Sequence, residues 1–264
     1  MILLLAGTGD GRLLLAGLKK DGYQVIAAAA TPYGGELLEM TARTIARPLD
    51  KDDLLALIKS EGITALVDAT HPFARRASEN AISACRETGV SYLRFEREKV
   101  RIPDHPLIHR CRDFPEAARK AAAFGEVLFL TTGSKTLELF LAEARKTGKR
   151  VVARVLPDPE VMARCFALGL RPPDIIAMQG PFSYQLNKAL LAEYQATVLV
   201  TKESGSAGGT DTKVKAALAL GIPVVLIQRP EVEYGLVVHD YQGLRAALRS
   251  GGEHPRNEVE GGGF

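Results

Sequence analysis

The feature that most restricts this chain is a repeated rhythm. A short, wholly apolar run leads into a turn rich in Gly, Thr and Ser, and then into a segment with helical spacing. A strand without alternation is buried on both faces, as in a parallel sheet covered by helices. Residues 2–5 run into Gly7-Thr8-Gly9-Asp10-Gly11-Arg12, and the helix pattern of 12–20 puts Leu14, Leu15 and Leu18 on one face. Residues 63–67 run into Asp68-Ala69-Thr70-His71-Pro72, 127–130 into Thr131-Thr132-Gly133-Ser134-Lys135, and 198–200 into Thr201-Lys202-Glu203-Ser204-Gly205. Asp50, with Asp53 three residues on, reads as the N-cap of a helix that Gly62 ends. Strands joined through helices in this way make right-handed crossovers and an α/β fold.

The rhythm breaks once. Residues 96–106 (EREKVRIPDHP) are charged, hold two prolines and lack apolar periodicity. They divide the chain into an N-terminal α/β domain over 1–98 and a C-terminal one over 107–250. The last clear strand is 223–227 and the last helix 241–248. A Gly-rich polar tail, 251–264, is expected to fray.

Composition narrows the class. Of 264 residues, 46% are hydrophobic and 25% charged, the balance of a soluble globular protein. The net charge of +3 comes from dispersed Lys and Arg, which gives no footprint for nucleic acid. No apolar run approaches the roughly 18 residues of a membrane span. The apolar start lacks a basic leader, so a cytoplasmic location is expected. Three cysteines stand far apart without CxxC, against both a disulfide framework and a zinc site. Cys85 falls on the apolar face of a helix, where it packs as a small hydrophobe. HExxH, GxSxG and P-loop patterns are missing from the sequence.

Four turns then stand out, and each has a structural alternative. The first follows a strand and opens a helix, the setting of a phosphate-binding turn, but Arg12 stands where GxGxxG has its third glycine. Thr31, not an acid, ends the second strand, so the NAD fingerprint is unmet. A tight turn explains the same residues. Thr70 and His71 place a hydroxyl and an imidazole at a strand's carboxyl end, although Asp68 or Thr70 as a helix cap would look the same. The Thr132-Gly133-Ser134 turn fits an anion or a plain cap. Lys202 emerges where its strand ends, and a long Gly/Ser loop follows Ser204.

Lined up in order, these segments resemble the precorrin-6A reductase family of corrin biosynthesis. The resemblance rests on AGTGDGR at 6–12, VDATHPFA at 67–74, YLRFER at 92–97, LTTGSK at 130–135, ARVLP at 153–157, IIAMQGPFS at 175–183 and LVTKESG at 199–205. The first loop departs from the GGT-x-EA form usual there at Ala6, Gly9, Asp10 and Gly11. The resemblance implies two Rossmann-like three-layer domains with parallel sheets and an active site in the cleft between them. It implies an oxidoreductase acting on a CH–CH unit, which uses NADPH or NADH to reduce one double bond of precorrin-6A or its cobalt form. On that reading Gly7, Thr8, Gly9, Arg12, Thr31, Thr70, Thr132, Gly133, Ser134, Gln179, Gly180 and Ser204 are candidates for the cofactor. Arg94, Arg97, Arg101 and Arg154 are candidates for the carboxylates of the tetrapyrrole, and His71, Lys202 or a bound water for the proton. A module that senses a dinucleotide without turnover, or a glycosyltransferase-like enzyme, would share the fold.

Overall fold

The computed structural model describes residues 1–251 except Thr8, 40–41, 98–100 and 206–208. Its described residues fall into two compact units, one drawn from 1–98 and 231–264, the other from 99–230.

In the first unit β1 (Ile2–Ala6), α1 (Gly9–Lys20), β2 (Val25–Ala29), α2 (Pro32–Glu39), β3 (Arg43–Ala46), α3 (Lys51–Glu61), β4 (Ala65–Ala69), α4 (Arg75–Thr88) and β5 (Ser91–Phe95) alternate. The second unit runs β6 (Ile108–Cys111), α5 (Phe114–Phe124), β7 (Val127–Leu130), α6 (Leu137–Lys146), β8 (Arg150–Val155), α7 (Pro159–Ala167), β9 (Ile175–Ala177), α8 (Tyr184–Glu193), β10 (Val198–Lys202), α9 (Thr210–Leu218) and β11 (Val224–Ile227). The chain ends with β12 (Val237–Val238) and α10 (Tyr241–Arg249).

The first sheet is ordered β12-β5-β4-β1-β2-β3 and the second β6-β11-β10-β7-β8-β9, all pairs parallel. The first has the doubly wound order 3-2-1-4-5-6 of a Rossmann-like sheet, and in the second β7 to β11 repeat the 3-2-1-4-5 part while β6, the strand that precedes them, fills the far edge. Successive residues of a strand point to opposite faces. Ile2 and Leu4 therefore pack with α1 and α10, while Leu3 and Leu5 pack with α3 and α4. Each fully buried leucine contributes roughly 1.5–3 kcal/mol. The Asp50–Asp53 capping box and the left-handed Gly62 cap form as the sequence indicates.

One expectation is corrected. The C-terminal domain was expected to reach residue 250, but 231–250 return to the first unit. Val237 and Val238 pair with Arg94 and Phe95 of β5. Tyr241 packs on Gly17 of α1, where a Cβ would lie 2.6 Å from the ring, and its hydroxyl donates to Asp21 at 3.0 Å. A two-residue strand is too short to show periodicity, which is why the sequence hid it. Helix α2 starts at Pro32, directly after β2, and the Thr31 hydroxyl accepts from the Gly34 N–H at 3.1 Å. Of the expected tail, everything past Gly251 lies outside the described residues.

Candidate functional site

In each sheet the order reverses beside the first strand of the run, between β1 and β4 and between β7 and β10. Turns leaving the carboxyl ends of such a pair diverge to opposite faces and open a crevice, where doubly wound folds bind ligands. The four turns singled out in the sequence leave these four strands.

At the first crevice Gly7 lies against the 70–71 turn; a Cβ on it would sit 3.4 Å from the His71 nitrogen and the Thr70 Cα. Thr8 lies outside the described residues. Gly9 opens α1, and a Cβ on Gly11 would lie 2.6 Å from that of Ala6. Gly11 thus supplies the close helix–strand approach that a third fingerprint glycine usually permits. Arg12, one residue on, is left exposed on the helix. Asp10, in the first turn, is ion-paired with Arg97. Thr31 is exposed, with its hydroxyl engaged in capping α2.

Asp68, at the end of β4, is fully buried. Its carboxylate accepts from the Thr70 N–H (2.9 Å) and hydroxyl (2.7 Å), Ser78 (2.6 Å), Tyr92 (2.7 Å) and Arg94 (2.9 Å). Burial opposes the charge on Arg94, but Asp68, Tyr234, Glu96 and Tyr92 together outweigh burial and the pKa is raised. Burial, reinforced by Asp68, drives the Tyr92 pKa upward. Arg94 was expected at a substrate carboxylate. It is instead withdrawn at 1% side-chain exposure between Asp68 and Glu96, beneath the Tyr234 ring. Thr70 is likewise turned inward and does not cap α4, whose N-cap is Ala74. His71 is half-buried on the turn this network holds. Its Nδ1 accepts from the Phe73 N–H at 3.1 Å, so the neutral ring carries its proton on Nε2.

At the second crevice Gly133 takes a left-handed φ of 83°, with open space where a side chain would be. Thr132 is buried, its hydroxyl accepting from that of Thr136 at 3.4 Å. Thr136 is the N-cap of α6 but makes no side-chain cap bond. The helix therefore presents its first turn without a side-chain cap, directly after Ser134. Across the crevice Ser204 turns back to the Lys202 carbonyl, and Thr210 ties both ends of the 203–209 loop by accepting from the Ser204 N–H and donating to the Lys202 oxygen. Gln179 and Gly180, after β9, are exposed, and the Gly180–Pro181 peptide is cis.

Positive charge concentrates at this edge. Arg154, on β8, is 7% exposed, donates to Asn187 Oδ1 at 2.9 Å and lies 4.3 Å over the Phe182 ring. Burial pushes its pKa down to about 10. Lys202 is also pushed down, first by burial and then by Lys135. Arg97 and Arg101 are exposed. His71 belongs to the first unit and Lys202 to the second.

Residues 1–249 match the family model described as precorrin-6x reductase CbiJ/CobK. The chain belongs to this family. It is 42% identical over 250 residues to a cobalt-precorrin-6A reductase of Priestia megaterium, covering 94% of this chain and 98% of that protein. It is 44% identical over 237 residues to the cobalt-precorrin-6A reductase of Methanothermobacter thermautotrophicus, covering 88% and 77%. Among solved structures, the CobK precorrin-6A reductase superposes with a TM-score of 0.78 at 30% identity, covering 97% and 98%. No helix among the described residues is long and apolar enough to cross a membrane.

A nicotinamide dinucleotide, the cofactor general to these reductases, fits the residues present. Its diphosphate suits a helix start and a turn without bulk, and the Gly133-Ser134 turn before α6 is of that kind, although the Leu137 and Leu139 N–H groups there already donate to the Ser134 and Thr136 carbonyls. The sequence reading missed Lys213, which is 7% exposed on α9. The signal was available, since Lys213 shares a helical face with Ala216, Ala217 and Leu220, and a cation on an apolar stripe is anomalous. Asn187, Phe182, Ser78 and Tyr92 carried no such mark.

Proposed function

We propose that this chain reduces one double bond of the precorrin-6A macrocycle, with a reduced nicotinamide dinucleotide as donor. The observation that carries the reading is the family match over residues 1–249, with relatives named for this activity. Two of those relatives are cobalt-precorrin-6A reductases, so the cobalt-bearing macrocycle is the first substrate to try.

When bound, the dinucleotide supplies the hydride. The chain's own residues bind, orient and protonate. The Gly133-Ser134 turn and the start of α6 hold the diphosphate through backbone N–H groups. Gly7 and Gly9 keep the first crevice open to a close-lying ligand. The exposed guanidinium of Arg97 meets substrate carboxylates in exchange for Asp10. The Asp68 network fixes the turn beneath His71; protonated on Nδ1 in exchange for its Phe73 contact, the ring is an imidazolium that donates the proton from Nε2, with Lys202 as the other cation at a strand end. Thr31 leaves the end of β2 without the acid that would repel a 2′-phosphate, which favours acceptance of NADPH.

Turnover with cobalt-bearing and cobalt-free precorrin-6A, each with NADH and with NADPH, tests the reading. Reduced-nicotinamide absorbance should fall in at least one combination, with a dihydro macrocycle formed in equal amount. No loss in any of them would overturn it.

A further inference from the structure

The carboxyl edge of the second sheet buries cations that it does not pair. Leu199 and Val152 pack in one core with Leu191 of α8 and Val214 and Ala217 of α9. Thr201 and Arg154 lie two residues further along the same strands and so face the same helices. Because Val200 pairs with Leu130 and Leu130 with Ala153, Thr201, Thr131 and Arg154 continue one row across β10, β7 and β8.

Along that row polar groups lack charged partners. Among the described residues Arg154 meets the neutral Asn187 oxygen and the Phe182 ring and no acidic group, while the Asn187 nitrogen is spent on the Phe182 and Ser183 carbonyls. Lys213 is 7% exposed, and its ammonium has neither an ion pair nor a hydrogen bond among the described residues. The Thr201 hydroxyl is buried with no hydrogen-bond partner among the described residues. Buried charge without a counter-charge destabilises a fold, so an arrangement like this is built for a partner that arrives from outside.

We propose that Arg154 and Lys213 form a buried site for one oxyanion of a bound ligand, a carboxylate or a phosphate. The charged groups facing Lys213 are Arg154 from β8, Lys202 from β10 and Asp211 from its own helical turn. Burial first, then Arg154 and Lys202, push Lys213 down to about 7, against the opposing pull of Asp211. An oxyanion reverses that balance, so the protein takes up a proton as the ligand binds. Only the choice between a macrocycle carboxylate and a dinucleotide phosphate rests on the reductase reading.

The test is calorimetric titration of wild type, Lys213→Met and Arg154→Met with NADP⁺ and with uroporphyrin I, a polycarboxylate porphyrin. It is run at about pH 8 in two buffers of different ionisation enthalpy. Each variant should lose roughly tenfold or more in affinity for one probe. Proton uptake by the wild type should vanish in Lys213→Met. Loss confined to uroporphyrin I assigns the site to a carboxylate, and loss confined to NADP⁺ to a phosphate. Both variants should melt at or above the wild type, since each removes an unpaired buried charge. Unchanged affinity for both probes, a wild type that binds neither, or variants that melt well below it would each overturn the site. A wild type that binds with proton uptake but does not turn over would sink the reductase reading and leave the site standing.

Discussion

Arg94 and Asp68 close a 2.9 Å ion pair between neighbouring strands, with side-chain exposures of 1% and 0%. The pair sits under the turn that carries His71, and Tyr234 from the returning segment covers the guanidinium at 4.7 Å. It therefore joins the sheet, the candidate site and the chain's last segment.

Arg94→Met should cost about 3–5 kcal/mol, because it leaves the Asp68 carboxylate buried without its cation. Arg97→Ala, which removes an exposed pair with Asp10, should cost at most about 1 kcal/mol. Urea unfolding of both variants checks the contrast. Equal effects would show that burial does not separate the two pairs.

Ser134→Asp should sharply weaken dinucleotide binding, by placing a negative charge where the diphosphate would meet the start of α6. Ser134→Ala should change affinity little, since the backbone N–H groups remain. Fluorescence titration of the reduced cofactor reads both, and unchanged affinity in Ser134→Asp counts against this placement.

His71→Ala should lower kcat by roughly 10²–10⁴, the range for a lost proton donor. Dinucleotide affinity should stay at the wild-type value, because the Phe73 N–H that His71 accepts can turn to water. A kcat within a few-fold of wild type would move the proton to Lys202 or solvent.

Lys213 gives a pH dependence of stability with a definite sign. Its folded pKa lies near 7 against an ordinary value of 10.5, so above about 7 the unfolded chain binds more protons than the folded one. Stability then rises with pH across that window. The penalty is full below it and fades towards 10.5. Lys213→Met should accordingly out-melt the wild type most at neutral pH, with the gap closing in alkali. A gap that is constant with pH would show that Lys213 keeps its charge on folding.

Much of this architecture was legible. The turns after 2–5, 63–67, 127–130 and 198–200 do leave the strands that flank the two crevices, because apolar runs without alternation force parallel strands. The Asp50 cap and Gly62 stop were readable for the same local reason. What stayed hidden depends on long-range partners. Arg94 reads as a free cation until Asp68 and Tyr92 are brought beside it by pairing across β4 and β5. Arg154 was a candidate for an anion, yet only the fold brings Lys213 within range of it. Arg12 could be seen to break the fingerprint, but the contact of Gly11 with Ala6 that makes up for it is a matter of three-dimensional spacing.

The sixth position of the first sheet is filled by β12, after the whole second unit has intervened. During synthesis the N-terminal unit is therefore first to emerge and last to finish. Until 231–249 leave the ribosome, the outer edge of β5 has no partner strand, Arg94 lacks the cover of Tyr234, and the surface of α1 around Gly17 stands open. A chain stopped after the second unit would carry an unpaired parallel strand edge, which invites pairing between copies. Completion of one unit is thus a check that the other has been made.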